Sequence, residues 1–454
     1  MMADSCWLVP LMLLCLVWLA WVWRCHLSAA PSCAATTGRV QRLLQPRTPD
    51  DCPACRQLAT APPSTMPPRP PVTPWRERKS RRGAPKRIAT QGFACPNRTC
   101  DYYQITDAQV HALVGDGIEG KAERIQTLRC QACRTTFTIR RDTPLYRLKT
   151  PSQRVGEVLT ALAEGLDVSA AVRVFGYSAG TITRWLTRAG AHSATLHDRV
   201  FRNLHLAHVQ LDEIRTRLRS RASVLWLWLA IDPISKLIPV LHLGARTQAA
   251  AHTVVHDLCQ RLAPGCIPVF TSDGLNRYFY ALTAHFGHWV AGVGRRARQW
   301  QVATGLLYGQ VKKIYRRRRL VRVTYVIRCG TRTTLKTALQ TLGLSGRITT
   351  AFVERVNLTV RQSVAALIRR TWSTMQAAPQ LLTHLEWWRA YYHFVRPHET
   401  LRVALGQPRE RGGKRQPQRY RQRTPAMAAG LTRWRWTVRD LLSIPLPPEP
   451  LSLA

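Results

Sequence analysis

Ile267-Pro-Val-Phe-Thr-Ser-Asp273-Gly274 is a short apolar run that ends on an acid and a glycine. It follows a stretch of helical character, Gln248 to Leu262. It therefore reads as a strand that delivers Asp273 at its carboxyl end, where open α/β sheets place their ligands. Upstream, His208 to Ile214, Leu225 to Ile231 and Lys236 to Leu243 follow one another across short polar breaks, so three antiparallel strands are expected before the helix. The fold class expected is α/β. Asp212 should close the first strand and lie beside Asp273, and adjacent carboxylates repel unless a cation sits between them. Asp232, in Ala-Ile-Asp-Pro, is the rival ligand, although Pro233 favours a turn there. Strand alternation sends Glu213 to the opposite face.

From Gly274 through Val353 there is no Asp or Glu, while the stretch holds 15 Lys or Arg. Glu354 then appears inside Thr350-Ala-Phe-Val-Glu-Arg-Val-Asn-Leu-Thr-Val-Arg361. On a helix, Glu354, Asn357 and Arg361 share one face, leaving Phe352 and Val356 to pack elsewhere. Three carboxylates, Asp212, Asp273 and Glu354, can hold two Mg²⁺ or Mn²⁺ about 3.5 to 4 Å apart, an arrangement suited to in-line attack at phosphorus. The basic run Lys312-Lys313-Ile-Tyr-Arg316-Arg317-Arg-Arg319 is expected to track DNA phosphates near that cleft rather than to be a merely solvated loop. Trp387, Trp388, Tyr391 and Tyr392 read as helical core rather than base-stacking platforms. His393, Arg396 and His398 follow, within reach of phosphate.

Upstream of the strands, Thr150 to Ala191 reads as three short helices. Thr150-Pro-Ser-Gln153 has the form of a capping box, a second helix around Ser169 to Phe175 stops at Gly176, and Ser178 can cap a third. The third helix buries Ile182, Trp185, Leu186 and Ala189 and turns Thr181, Thr183, Arg184 and Arg188 outward. With Ser178, these are the expected DNA contacts of a helix-turn-helix, though any small helical bundle has a similar pattern, and Lys312, Lys313, Arg316 and Arg317 of the basic run are expected contacts near the cleft. Asn357 and Arg361 join them from the cleft. Before the helices, Cys95-Pro-Asn-Arg-Thr-Cys100 and Cys130-Gln-Ala-Cys133 form two close pairs that suit one tetrahedral Zn²⁺, with strands at Gln126 to Arg129 and Thr135 to Arg140: a zinc ribbon, structural rather than catalytic.

Residues 1–92 carry an apolar run of 18 from Cys6 to Trp23, then a Pro- and Arg-rich stretch with an isolated Cys52-Pro-Ala-Cys55. The run is near the lower limit of a membrane span. It reads as a secretory signal lacking its basic region, as an anchor, or as a leader translated ahead of a downstream start. Membrane association is not favoured. The remainder of this segment reads as disordered linker.

The 454 residues suggest about three domains. With 67 Lys and Arg against 25 Asp and Glu, the net charge is +42, and a polyanion is the expected partner. Thirteen cysteines, four of them spaced as metal ligands, fit a reducing cytosol rather than a disulfide scaffold.

From Cys95 to about Leu401 these residues resemble the DDE-class bacterial insertion-sequence transposases, in the group resembling the insertion sequence one family. Val209-Gln-Leu-Asp-Glu213, Thr271-Ser-Asp-Gly274 and Phe352-Val-Glu-Arg-Val-Asn-Leu-Thr-Val-Arg361 resemble the three acidic segments, with a fainter echo at Arg423-Thr-Pro-Ala-Met-Ala-Ala-Gly-Leu431. The resemblance implies a ribonuclease-H-like catalytic domain at 201–401, preceded by a zinc ribbon at 93–145 and a helix-turn-helix at 146–200, with a basic tail at 402–454. It implies metal-dependent cleavage and transfer of DNA strands, recognition of terminal inverted repeats, target DNA as second partner, and a nucleoid-associated homodimer or higher oligomer. The rivals are a DNA-binding regulator without catalysis and a metal-dependent nuclease that does not join.

Overall fold

A computed structural model describes residues 72–78, 88–218, 224–291, 298–368, 375, 377–409 and 417–448. The apolar run at Cys6–Trp23 and the Cys52/Cys55 pair lie outside them. No helix among the described residues is long and apolar enough to cross a membrane.

The chain is mixed α/β. In order it forms α1 (Trp75–Arg78), β1 (Leu113–Glu119), β2 (Ile125–Cys130), β3 (Thr136–Thr138), α2 (Ser152–Ala163), α3 (Val168–Phe175), α4 (Ala179–Val200), β4 (His208–Arg217), β5 (Val224–Ile231), β6 (Val240–Gly244), α5 (Gln248–Arg261), β7 (Val269–Asp273) and α6 (Asn276–His285). There follow β8 (Gly287–Ala291), β9 (Arg298–Val302), β10 (Tyr308–Arg316), β11 (Arg319–Cys329), α7 (Arg332–Thr341), α8 (Ala351–Ser363), α9 (Ala378–Ala390), β12 (Val403–Arg409), β13 (Gln418–Arg421), α10 (Pro425–Ala428) and α11 (Val438–Ser443). Residues Leu282–Ala303 fall in a different compact unit from the rest of the described residues, and within it β8 and β9 pair antiparallel and Trp289 meets Trp300 edge-on at 5.7 Å.

Six strands make one mixed sheet in the order β11-β10-β7-β4-β5-β6. β4, β5 and β6 are the antiparallel meander read from the sequence, and β7 then returns parallel to β4 after α5. β5, Val-Leu-Trp-Leu-Trp-Leu-Ala-Ile, is apolar throughout because its inner end is buried on both faces. One side of the sheet, with Ile214, Leu227, Leu229 and Ile231, packs on Val353, Val356 and Val360 of α8 and on Leu385 and Trp388 of α9. α7 covers the β7–β10 end through Leu335 and Leu339. Trp387, Trp388, Tyr391 and Tyr392 are all buried, as their helical spacing suggested.

Several expectations need correction. Asp212 sits in the middle of β4, not at its end, because the strand continues to Arg217 along β5. The capping box at Thr150 is not made: Pro151 is the N-cap position, and the Ser152 amide and hydroxyl instead donate to Glu123. Burial opposes the charge of Glu123, but Arg140 and Ser152 hold its carboxyl down to about 2. The end of the segment read as linker is part of the fold, since Trp75 meets Tyr102 edge-on at 5.7 Å and donates to Gln131 at 2.7 Å. Nor is 402–454 a bare tail: Trp436 stacks on Phe394 at 4.4 Å, and Leu441 and Leu442 of α11 are buried, with α11 packing on α2.

α4 and α9 pack against each other, and Gly190 is what lets them approach closely. A Cβ there would lie 2.2 Å from the Thr383 carbonyl oxygen, a backbone atom that cannot step aside. Buried polar groups seal the same contact. The Ile238 amide donates to His393 Nε2 at 3.0 Å, which leaves the proton on Nδ1 to reach His197 Nε2 at 3.2 Å, and His197 Nδ1 in turn reaches Glu386 at 3.1 Å. Burial keeps both imidazoles well below their usual pKa, and therefore neutral. His393 is thus a core residue, not a phosphate contact. Gly190→Ala should lower the thermal midpoint by the equivalent of about 1–3 kcal/mol, the usual penalty of overpacking. Gly180→Ala, in open space on the first turn of the same helix, should leave it unchanged or raise it; thermal denaturation of the two variants checks the contrast.

Candidate functional site

The four spaced cysteines come together. Cys95 Sγ lies 3.5 Å from Cys133 Sγ, and Cys100 Sγ lies 3.8 Å from Cys130 Sγ. Thiolates around one zinc at about 2.3 Å would stand about 3.8 Å apart, whereas a disulfide needs about 2.05 Å. The set therefore fits a tetrahedral ion: Cys95 and Cys100 come from the turns before β1, Cys130 ends β2 and Cys133 lies in the turn into β3. Cys130 is held down to about 5 chiefly by the thiol of Cys95 beside it, and that same contact drives the Cys95 thiol up. One zinc per chain is expected by elemental analysis, and Cys130→Ser should lose it together with the protection of the backbone amides of β1–β3 from hydrogen exchange.

The acidic site follows from strand register. Parallel pairing of β4 with β7 sets Leu211 against Ser272, so the next residues along the two strands are Asp212 and Asp273. One oxygen from each, together with one from Glu213, lies within 4.8 Å of the others. Three hard oxygen donors at this spacing suit Mg²⁺ or Mn²⁺. Glu213 is a correction to simple strand alternation. Its carboxylate is nearly enclosed, receives Arg246 Nε at 2.7 Å and the Tyr278 hydroxyl at 3.1 Å, and joins the group that alternation assigned to the other face. The only signals in the sequence are its adjacency to Asp212 and the arginine after β6. Asp232 resolves the other way. Its carboxylate accepts from the amides of Ile234 at 3.1 Å and Ser235 at 3.0 Å and from the Ser235 hydroxyl at 2.6 Å, so it builds the turn that Pro233 suggested.

Glu354 lies outside that tight group but in the same groove. Val353, Val356 and Val360 anchor α8 in the core, and one residue further round the helix Glu354, Asn357 and Arg361 line, with Asp212 and Glu213, a groove of about 660 Å³. Asn357 donates to Asp212 at 2.7 Å. The Glu354 carboxylate accepts from the Thr350 hydroxyl at 2.6 Å and is paired with the ammonium of Lys313. Lys313, read as a phosphate contact, is therefore spent on an acid. Burial opposes its charge, yet Glu354 raises its pKa above the usual value. Lys312, Arg316 and Arg317 lie on β10 and its turn into β11, not in a loop, and Arg316 and Arg317 are exposed.

Among the helical candidates, Ser178 caps α4 by accepting from the Thr181 amide, after Gly176 ends α3 in the left-handed region at φ +73°. Arg184 is exposed, and Thr181 and Thr183 are half-buried. Arg188 is drawn inward and donates to the Tyr146 carbonyl at 2.5 Å.

Burial pushes the carboxyl of Asp212 up to about 7, with the charges of Asp273, Glu213 and Glu354 adding to it, and burial also raises Asp273. Because the folded chain holds the Asp212 proton more tightly than an unfolded chain does, its contribution to stability is full below the ordinary value of 3.8 and lost as pH rises through about 7. Without metal, the thermal midpoint of the wild type should therefore fall between pH 5 and 8 relative to Asp212→Asn, and Mn²⁺ should restore it at pH 8. Lys313→Ala should bind Mn²⁺ several-fold more tightly, since the ammonium competes for Glu354; calorimetric titration checks this.

Comparison with known protein families and with curated proteins finds no match for this chain.

Proposed function

We propose that this chain is a DNA transposase of the DDE class, which cuts and joins DNA strands at a divalent-metal site built from Asp212, Asp273 and Glu354, with Glu213 beside them. The observation that carries the reading is the β4–β7 register, which sets two half-buried aspartates side by side. A third acid, on α8, shares a groove with Asp212. A mixed sheet with an antiparallel meander, a helix and a returning parallel strand is what a ribonuclease-H-like domain would present, and supports that finer fold. α3, the Gly176 turn and α4 support a helix-turn-helix, and the cysteine cluster supports a zinc ribbon.

Cations bound at the acids would supply an activated water or 3′-hydroxyl and charge neutralisation at the leaving oxygen. The protein's own groups do the positioning. Asn357 donates to one oxygen of Asp212 and the Glu213 amide to the other, which fixes the rotation of that carboxylate. Arg246 and Tyr278 hold Glu213, and Lys313 keeps Glu354 in place. Arg361 lines the groove with a charge suited to the scissile strand. The net charge of +42 draws duplex DNA to the chain whatever its sequence. Terminal inverted repeats and target DNA are the proposed substrates, and pairing of two ends calls for at least a dimer.

Purified protein given Mg²⁺ or Mn²⁺ and labelled terminal-repeat DNA should yield nicked and then joined products. Asp273→Ala should lower both by at least about 10²-fold, the scale of removing one transition-state charge contact, while duplex binding persists. Undiminished activity in that variant defeats the assignment. Nicked product that is never joined reduces it to a nuclease.

A further inference from the structure

A second face of α8 opens onto another cleft, of about 570 Å³. Phe352, Arg355 and Thr359 follow one another along it, about 130° round the helix from Glu354. Across the cleft stand Lys236, Arg396 and His398. Lys236 is buried in the turn after Asp232, where its ammonium donates to the Pro233 carbonyl and lies 4.1 Å from the centre of the Phe352 ring. Arg396 reaches the Ser363 hydroxyl at 3.1 Å and Glu164 at 3.7 Å. Arg355 is exposed, and no described residue pairs with its guanidinium. Glu399 is the acid that lines the cleft, and its carboxylate is already paired with Arg402.

Burial lowers the pKa of His398, and the charges of Lys236, Arg355 and Arg396 lower it further against the opposing charge of Glu399, so three cations face one imidazole. Its Nδ1 lies 2.9 Å from the Thr400 hydroxyl. Glu164 and Glu399 offset part of this positive charge, and an anion entering the cleft would offset the remainder. An ammonium with two guanidinium groups suits phosphate oxygens better than any other common anion. Ala351, Arg355 and Glu399 are exposed, so the cleft is open to solvent and a polymer can lie across it.

The geometry points to this cleft as a binding site for the phosphate backbone of a DNA segment, separate from the strand in the acidic groove and on another face of the helix that carries Glu354. The choice of DNA over a small phosphate rests on the transposase reading. Two segments held on two faces of one helix would fix the attacking and receiving strands relative to each other.

The test uses the full chain and a fluorescently labelled duplex, with anisotropy followed across a salt series. Arg355→Glu should weaken duplex binding about tenfold and flatten the salt dependence by roughly 1 in the logarithmic slope, as for one lost phosphate contact. Arg355→Lys should keep most of both. Mn²⁺ affinity and thermal midpoint should match the wild type, which shows that the acidic groove and the fold are intact. Wild-type duplex affinity and slope in Arg355→Glu, with strand cleavage retained, overturn this site alone. Weaker binding of pyrophosphate with unchanged duplex binding makes the cleft a small-anion site and also overturns it. A wild-type chain that fails to bind duplex at all defeats both this site and the proposed function.

Discussion

The parallel register of β4 and β7 is the constraint from which the rest of the site follows. It places Asp212 and Asp273 on neighbouring strands at the same level, in a sheet whose interior excludes water. Two unit charges within 4.8 Å repel by roughly 3 kcal/mol even at an effective dielectric constant of about 20. A sheet that imposes this arrangement must offset it. Arg246 answers Glu213 and Lys313 answers Glu354, yet Asp212 has only neutral N–H donors, from Asn357 and its own neighbour. Burial is the main reason its carboxyl rises to about 7, and the neighbouring carboxylates add to it. A divalent ion there would remove the remaining repulsion.

α8 converts that local chemistry into a larger organisation, because it has three occupied faces. Its valines bury against the sheet and α9, its Glu354–Asn357–Arg361 face looks into the acidic groove, and its Phe352–Arg355–Thr359 face looks into the basic cleft. Rotating the helix by one residue would exchange core for groove, so the packing of Val353, Val356 and Val360 sets where Glu354 points. α9 holds α8 from behind, and the chain Ile238–His393–His197–Glu386 ties α9 to α4 and to the turn that also carries Asp232 and Lys236. α4 is thereby fixed to the sheet by buried hydrogen bonds, which salt screens little.

What could be read from the sequence was local. The meander, the strand ending at Asp273, α8 and the cysteine pairs all announce themselves by alternation, helical spacing or short intervals between like residues, and they appear close to their expected bounds except that β6 begins at Val240 rather than Lys236, which lies in a turn. The residues that escaped are placed by partners far along the chain. Glu213 joins the acids because Arg246 and Tyr278, 33 and 65 residues away, hold its carboxylate. Lys313 looks like one more cation in a basic run until β10 brings it beside α8. Trp75 and Trp436 sit in segments whose composition suggests linker and tail, and each is recruited by a single aromatic partner, Tyr102 and Phe394. Composition averages over such residues, whereas packing selects them one at a time.

The scarcity of acids gives the Lys313–Glu354 pair its meaning. A chain with 67 basic side chains and 25 acidic ones has cations to spare, and any isolated carboxylate on its surface will attract one. Glu354, half exposed at the mouth of the groove, has attracted Lys313 rather than another arginine of the same hairpin, because β10 runs beside β7 and carries Lys313 past the end of Asp273's strand. An ammonium on four flexible carbons can leave and be replaced, while a forked guanidinium bound through two nitrogens would hold on more firmly. Glu354 is thus kept ordered by a partner that a competing cation could displace.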